Sequence, residues 1–295
     1  MSEYNKENPL RCFFAFEGYN SQGLALDRIK QRIPGFDWIC VGRSEIDRYA
    51  IQAANAIFPE NADKNYGDIS KIDWSQVPDF DFFSYSFPCT DISNAGQQKG
   101  LSEGSGTRSS LLWECCRAIE SKMPKYLLME NVKALMSQKF LPEFYKWRDY
   151  LFGLGYESFA MVMNAKDYGV PQNRERVFMV SILRENEDDI PSFHFPAPIP
   201  LEIRLKDILE EEVDDKYVLS ETAIQGFLKH NENHKAKGTG FLWIPKDVET
   251  EGGQIANCLS ARQFKCGATD NYIREFRGGT QYGYMPYNIL LLMAE

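Results

Sequence analysis

Up to about residue 183, short apolar runs alternate with longer amphipathic stretches, the pattern of an α/β domain built on a largely parallel sheet. Five runs rich in aromatic or branched residues predict strands: Cys12 to Phe16, Trp38 to Gly42, Asp81 to Ser86, Tyr126 to Met129 and Arg176 to Ile182. Between them, Gly23 to Arg32 carries Leu24, Leu26 and Ile29 at roughly helical spacing, and Ser110 to Ser121 carries Leu111, Leu112, Cys115 and Ile119 likewise. Both predict crossover helices. After Ile182 the texture changes, because Arg184 to Pro200 mixes charges with Pro191, Pro196, Pro198 and Pro200, which suits a linker better than core. From Leu201 to about Arg274 the chain is polar, glycine-containing and weakly strand-like, which predicts a small, mixed second domain. The expected division is a first domain over 1-190, a second over 191-275 and a tail over 276-295.

Composition narrows the class. With 43% hydrophobic residues in 295, the chain can fill a large core. The polar start from Met1 to Lys6 lacks the apolar stretch of a secretory signal, and no segment approaches the roughly 20 apolar residues of a membrane span. The expected location is the cytoplasm, with no membrane partner. Seven cysteines without a Cys-x-x-Cys pair describe neither a disulfide scaffold nor a common zinc site. A net charge of -9 weighs against nucleic-acid binding, but the acids cluster in Glu185 to Asp189 and Glu210 to Asp215, away from the candidate chemistry.

That chemistry lies at strand ends. Gly18 follows the first strand in Phe16-Glu17-Gly18-Tyr19-Asn20, where a glycine lets the backbone approach a ligand. Glu45, at the end of the second strand, is placed to accept hydrogen bonds from ribose hydroxyls, and Asp68 could accept from an adenine amino group with Ile46 and Ile69 flanking the ring. Cys89 in Phe87-Pro88-Cys89 emerges at the carboxyl end of the third strand, and Glu130 in Glu130-Asn131-Val132 is delivered to the same edge. Gln172, Arg174 and Arg176 alternate, so an extended segment would turn all three one way. Plainer alternatives stand beside each: a structural turn, ordinary loop acids, an inert core cysteine, a capping or salt-bridged glutamate and a solvated strand edge. His230 and His234, four apart, are better explained by a solvated helix than by a metal, and no metal is expected.

Taken in order, these stretches resemble the C5-cytosine DNA methyltransferase family over roughly residues 11 to 183. The matching parts are Phe87-Pro88-Cys89 with Ser93, Ala95-Gly96 and Lys99-Gly100, then Glu130-Asn131-Val132, then Gln172-Asn173-Arg174-Glu175-Arg176. The resemblance implies a Rossmann-like, S-adenosylmethionine-dependent methyltransferase fold whose sheet is mostly parallel with one reversed strand, which fits a hairpin-like pair of Ser158 to Asn164 and Arg176 to Ile182. It also implies that Phe16, Gly18, Glu45, Ile46, Asp68 and Ile69 line the S-adenosylmethionine site, with Pro88 and Leu111 close by. Cys89 would add to C6 of a flipped-out cytosine in double-stranded DNA, with Glu130 acting at N3, Arg174 and Arg176 positioning the base, and Ser93, Asn131 and Gln172 touching the substrate. Ser93 to Gly106 would be the loop that closes over the base, and 191-275 would recognise the target. A restriction-modification system is the implied setting.

Four departures from the family pattern matter. Glu17 stands where a small residue is common, Asn20 where a second glycine is, and Thr90 where a glutamine is. The usual C-terminal motifs that complete the cofactor pocket are not found after Asn271. Truncation, a second chain that supplies them and a degenerate closure by Glu275 to Glu295 are the three accounts. Rival functions are a non-catalytic DNA-binding remnant and cytosine-5 methylation of RNA. A nicotinamide oxidoreductase would leave Cys89 and Glu130 unexplained.

Overall fold

Residues 3–88, 111–186, 188, 190–210, 218–238, 242–259, 272–277 and 280–286 are described by the computed structural model, with the backbone alone at 275–277 and 280–286. They fall into two units: Met1–Val162 with Arg176–Phe195, and Met163–Glu175 with Pro196–Glu295.

In the first unit, β1 (Leu10–Ala15) leads to α1 (Ser21–Arg32), β2 (Trp38–Ser44), α2 (Arg48–Ile57), β3 (Phe82–Tyr85), α3 (Glu114–Lys122), β4 (Tyr126–Val132) and α4 (Leu141–Gly153). Next comes β5 (Tyr156–Asn164), and β7 (Glu175–Leu183) follows the short β6 (Gln172–Asn173) of the second unit. The described sheet has the order β2-β1-β3-β4-β7-β5. β1 pairs in parallel with β2 and β3, and β3 with β4, while β7 runs antiparallel to β4. This is the mostly parallel α/β sheet with a reversed strand that the sequence implies. All five expected strands form, each within about two or three residues of its expected limits.

The central strands read as continuous apolar runs because both faces are covered. Five of the six residues of β1 are buried, and Phe13 packs among Trp74, Phe80 and Phe83, while Tyr85 meets Trp147 from α4. Burying each side chain of this size is worth about 1.5–3 kcal/mol, so the aromatic cluster outweighs any surface contact. β2 carries an irregularity opposite Cys12 and Phe13, and a Cβ on Gly42 would stand 2.6 Å from the Phe13 ring, so only glycine fits there.

Helix ends follow from capping chemistry. Asn20 accepts from the Gly23 N–H at the start of α1, and Asp47 accepts from the Tyr49 and Ala50 N–H groups at the start of α2. α4 buries Phe144, Trp147 and Leu151 along one stripe.

In the second unit, β6 pairs in parallel with β8 (Ala256–Asn257), and β9 (Tyr272–Arg277) pairs antiparallel with β10 (Thr280–Pro286). The region expected to be weakly strand-like also holds the helix α5 (Glu221–Lys237), capped by Ser220 and ended by Gly238 at φ 62°. None of its residues is fully buried, so no apolar stripe announces it in the sequence. It carries His230 and His234, whose rings lie 4.2 Å apart. No described helix is long and apolar enough to cross a membrane.

Candidate functional site

The turn after β1 is shaped by unusual backbone. Phe16, Gly18 and Asn20 all have positive φ, at 55°, 59° and 65°. Phe16 is tied to β2 by its N–H, which donates to the Ser44 carbonyl at 2.8 Å. The Gly18 N–H donates to Glu45 Oε2 at 3.0 Å, while a Cβ on Gly18 would meet nothing within 4 Å. Asn20, where the family commonly has glycine, takes the left-handed conformation and uses its side chain to cap α1, which offsets the strain.

Glu45 Oε1 accepts from the Ile46 and Asp47 N–H groups, each at 2.8 Å. Asn65, which the sequence reading passed over, holds this corner. Its Oδ1 accepts from the Glu45 and Gly67 N–H groups at 3.1 Å each, and its Nδ2 donates to the Glu45 carbonyl at 3.0 Å. The available signal was an Asn two residues before Gly67, the mark of a side chain mimicking a turn. Asp68 accepts from the Ser70 hydroxyl and N–H, which hold its carboxyl below the ordinary aspartate range. Ile46 is 74% exposed, whereas Ile69 is 2% exposed and belongs to the core, so of this expected pair only Ile46 offers a free apolar face. Phe16 and Leu111 are partly buried against the same core.

A carboxylate held by backbone at the end of β2, an open glycine turn and an exposed isoleucine form a donor and acceptor set that fits an adenosyl group. Carboxylates take diol hydroxyls, and flat apolar surface takes a purine.

At the ends of β3 and β4 lie the candidate reacting groups. Glu130 Oε1 sits 3.1 Å from Arg176 Nε, with the two side chains 22% and 18% exposed. β4 and β7 place Val132 opposite Arg176, which brings the guanidinium beside the carboxylate two residues earlier. Asn131 is 2% exposed; its Nδ2 donates to the Phe87 carbonyl at 2.9 Å, and its Oδ1 accepts from the Val132 N–H. Its amide is thus bonded to backbone on both sides. Phe87 is itself buried and Pro88 partly exposed. Cys89 and Ser93, with the whole expected loop from Ser93 to Gly106, lie outside the described residues.

Along Gln172, Arg174 and Arg176 exposure alternates: these three are buried or partly buried, while Asn173 and Glu175 between them are exposed. The Gln172 N–H donates to the Val170 carbonyl at 2.6 Å, the Arg174 N–H to the Gln172 carbonyl at 3.0 Å and to Asn164 Oδ1 at 3.0 Å. These bonds accompany a gap of one residue, Arg174, between β6 and β7. Gln172 is buried beside β8 in the second unit, where Arg174 Nη1 lies 3.5 Å from Cys258 Sγ. Arg176 belongs to the first unit.

One further pair escaped the sequence reading. Glu17 and Arg43 form a buried ion pair, Oε1 to Nη1 at 2.7 Å, with side chains 0% and 2% exposed. Burial pushes the Glu17 carboxyl up to about 7 against the opposing pull of Arg43.

Comparison with known proteins agrees with this arrangement. The model of the family described as C-5 cytosine-specific DNA methylase matches residues 15–282. Type II methyltransferase M2.ScrFI of Lactococcus lactis subsp. cremoris is 41% identical over 78% of this chain and 77% of its own length. Type II methyltransferase M1.ScrFI of the same organism is 36% identical over 76% of this chain but 56% of its own length, so the chain spans little more than half of that relative. Among solved structures, the methyltransferase EhMeth of Entamoeba histolytica aligns with a TM-score of 0.65 over 95% of this chain and 78% of that one, at 15% identity, a likeness of fold. None of these matches lends support to a second, completing chain. With its family model spanning most of its length, the chain belongs to the C-5 cytosine-specific DNA methylase family.

Proposed function

We propose that this protein transfers the methyl group of S-adenosylmethionine to carbon 5 of a flipped-out cytosine in double-stranded DNA, with Cys89 as nucleophile. The observation that carries the reading is the buried end of β4. There Glu130 is held by Arg176, while the neighbouring Asn131 fastens the Phe87 carbonyl, two residues before Cys89. The family membership gives that arrangement its chemistry.

Cytosine C5 is too weak a nucleophile to take a methyl group unaided. The Cys89 thiolate adds to C6, forming an S–C bond, and the ring electrons move toward N3, where Glu130 offsets the developing charge with a proton. C5 thereby becomes carbanion-like. Arg176, 3.1 Å from Glu130, holds that carboxyl, and the positive charge of Arg174 and Arg176 serves to position the cytosine. S-adenosylmethionine supplies an electrophilic sulfonium methyl group. Loss of the C5 proton then expels Cys89 and restores the aromatic ring.

For the cofactor, Glu45 would hold the ribose hydroxyls, Asp68 the adenine amino group and Ile46 the ring, with Phe16, Gly18, Pro88 and Leu111 around them. Three backbone N–H groups occupy three of the about four lone-pair sites of Glu45, two on Oε1 and one on Oε2, which leaves Oε2 able to accept from a ribose hydroxyl beside Gly18. We assign target recognition to the second domain, 191-275.

Transfer of labelled methyl groups to duplex DNA, with transfer RNA as competitor, tests this reading. Incorporation into DNA that Cys89→Ala abolishes is the expected result. Equal activity in Cys89→Ala refutes the mechanism, and preference for transfer RNA refutes the substrate.

A further inference from the structure

Glu17 and Arg43 stand in the middle of the candidate cofactor corner without touching any of the groups assigned to the ligand. Glu17 lies between Phe16 and Gly18, and Arg43 comes two residues before Glu45. Arg43 reaches four segments. Its Nη1 binds Glu17 in the turn after β1, and its Nη2 donates to Asn55 Oδ1 in α2 and to the Ala62 carbonyl at 3.3 Å. Its own carbonyl accepts from the Tyr66 N–H at 2.9 Å, in the segment that leads to Asp68.

A pair this deeply buried is a poor way to gain stability, because desolvation of both charges cancels most of their attraction and an apolar pair would serve as well. What it supplies is direction. A guanidinium has a fixed fork of donors, so the three segments it holds cannot shift independently. The cost is visible at Glu17 Oε2 and Arg43 Nε, both buried and without a hydrogen-bond partner among the described residues. Groups left so are kept where geometry matters more than stability.

We propose that Glu17 and Arg43 are positioning residues for the cofactor: their ion pair holds the Phe16–Gly18 turn against Glu45, so that breaking it weakens S-adenosylmethionine binding and not the fold alone. The proposal rests on the cofactor reading above. The charged groups around Glu17 are Arg43 and Glu45 from β2 and its end, with the neutral Asn55 from α2. Cys40 of β2, itself beside Lys64, also feels both members of the pair. Glu17 takes up a proton near pH 7, so acidification through neutrality weakens the pair. Stability moves the other way. A carboxyl raised in the folded state binds more protons folded than unfolded between its ordinary value and about 7, so its contribution to stability rises as pH falls through that window. Affinity that falls while this contribution rises is a signature that a merely structural pair would not give.

The test is the dissociation constant of the full chain for S-adenosylmethionine, by calorimetry without DNA, on either side of pH 7, beside thermal unfolding without cofactor. The wild type should bind more weakly on the acid side. Glu17→Ala should weaken binding about tenfold above neutrality, and Glu17→Gln, a neutral acceptor for Arg43 like protonated Glu17, should bind at every pH as the wild type does on the acid side, with no pH step. Should Glu17→Ala fail to fold, the comparison of Glu17→Gln with wild type decides: a flat profile against a sloping one supports the proposal, and parallel profiles overturn it. Unchanged affinity in Glu17→Ala with a lower unfolding temperature also overturns it, while wild-type affinity stays intact. No binding by the wild type overturns the cofactor reading and the proposal together.

Discussion

Asn131 and Glu130 are sequence neighbours with opposite duties. Asn131 is turned into the protein, where it is the side-chain donor to the Phe87 carbonyl. Asn131→Ala removes that donor from a buried carbonyl, at a cost of about 1–3 kcal/mol readable by chemical denaturation. Methyl transfer should fall with it, because the segment entering Cys89 loses its anchor. Glu130 is paired with Arg176 and, under the proposed mechanism, handles the proton at N3. In Glu130→Gln the proton-handling group is gone while the shape is kept, so kcat should drop about a hundredfold or more with S-adenosylmethionine affinity unchanged. A kcat within a few-fold of wild type would remove Glu130 from the mechanism. Nothing in the sequence shows which partner either residue takes. The motif Glu130-Asn131-Val132 made both legible as candidates, but Phe87 lies 44 residues away along the chain.

Elements were legible where burial is two-sided and illegible where it is shared or local. β1, β3 and β4 announce themselves as apolar runs because helices cover both faces of the sheet. α5 does not, since none of its residues is fully buried. The segment of Gln172, Arg174 and Arg176 alternates in exposure with Asn173 and Glu175, as its spacing indicates, but the sequence carries no sign that β6 and β7 part at Arg174. Two predictions belong here. Asp47→Ala removes the acceptor for two N–H groups at the start of α2 and should cost about 1 kcal/mol in thermal unfolding. Trp147→Ala empties the junction of α4 with β3, where the indole also donates to the Tyr85 hydroxyl at 3.2 Å, and should cost about 3–5 kcal/mol. A smaller loss at Trp147 would mean that this junction can collapse.

The first unit carries the sheet, the Glu45 corner and the Glu130–Arg176 pair, and the second carries Arg174 and Gln172. The overall charge of -9 weighs against a DNA enzyme only as a sum over the whole surface, since binding responds to the local distribution of charge. The central claim is that Cys89 attacks the target cytosine. Its most direct test is to incubate the full chain with S-adenosylmethionine and duplex DNA carrying 5-fluorocytosine, whose C5 fluorine cannot leave as a proton does, and to resolve the products under denaturing conditions. A covalent protein–DNA adduct attached through Cys89 is the predicted result, absent in Cys89→Ala. No adduct from the wild type, or an adduct that persists in Cys89→Ala, would contradict it.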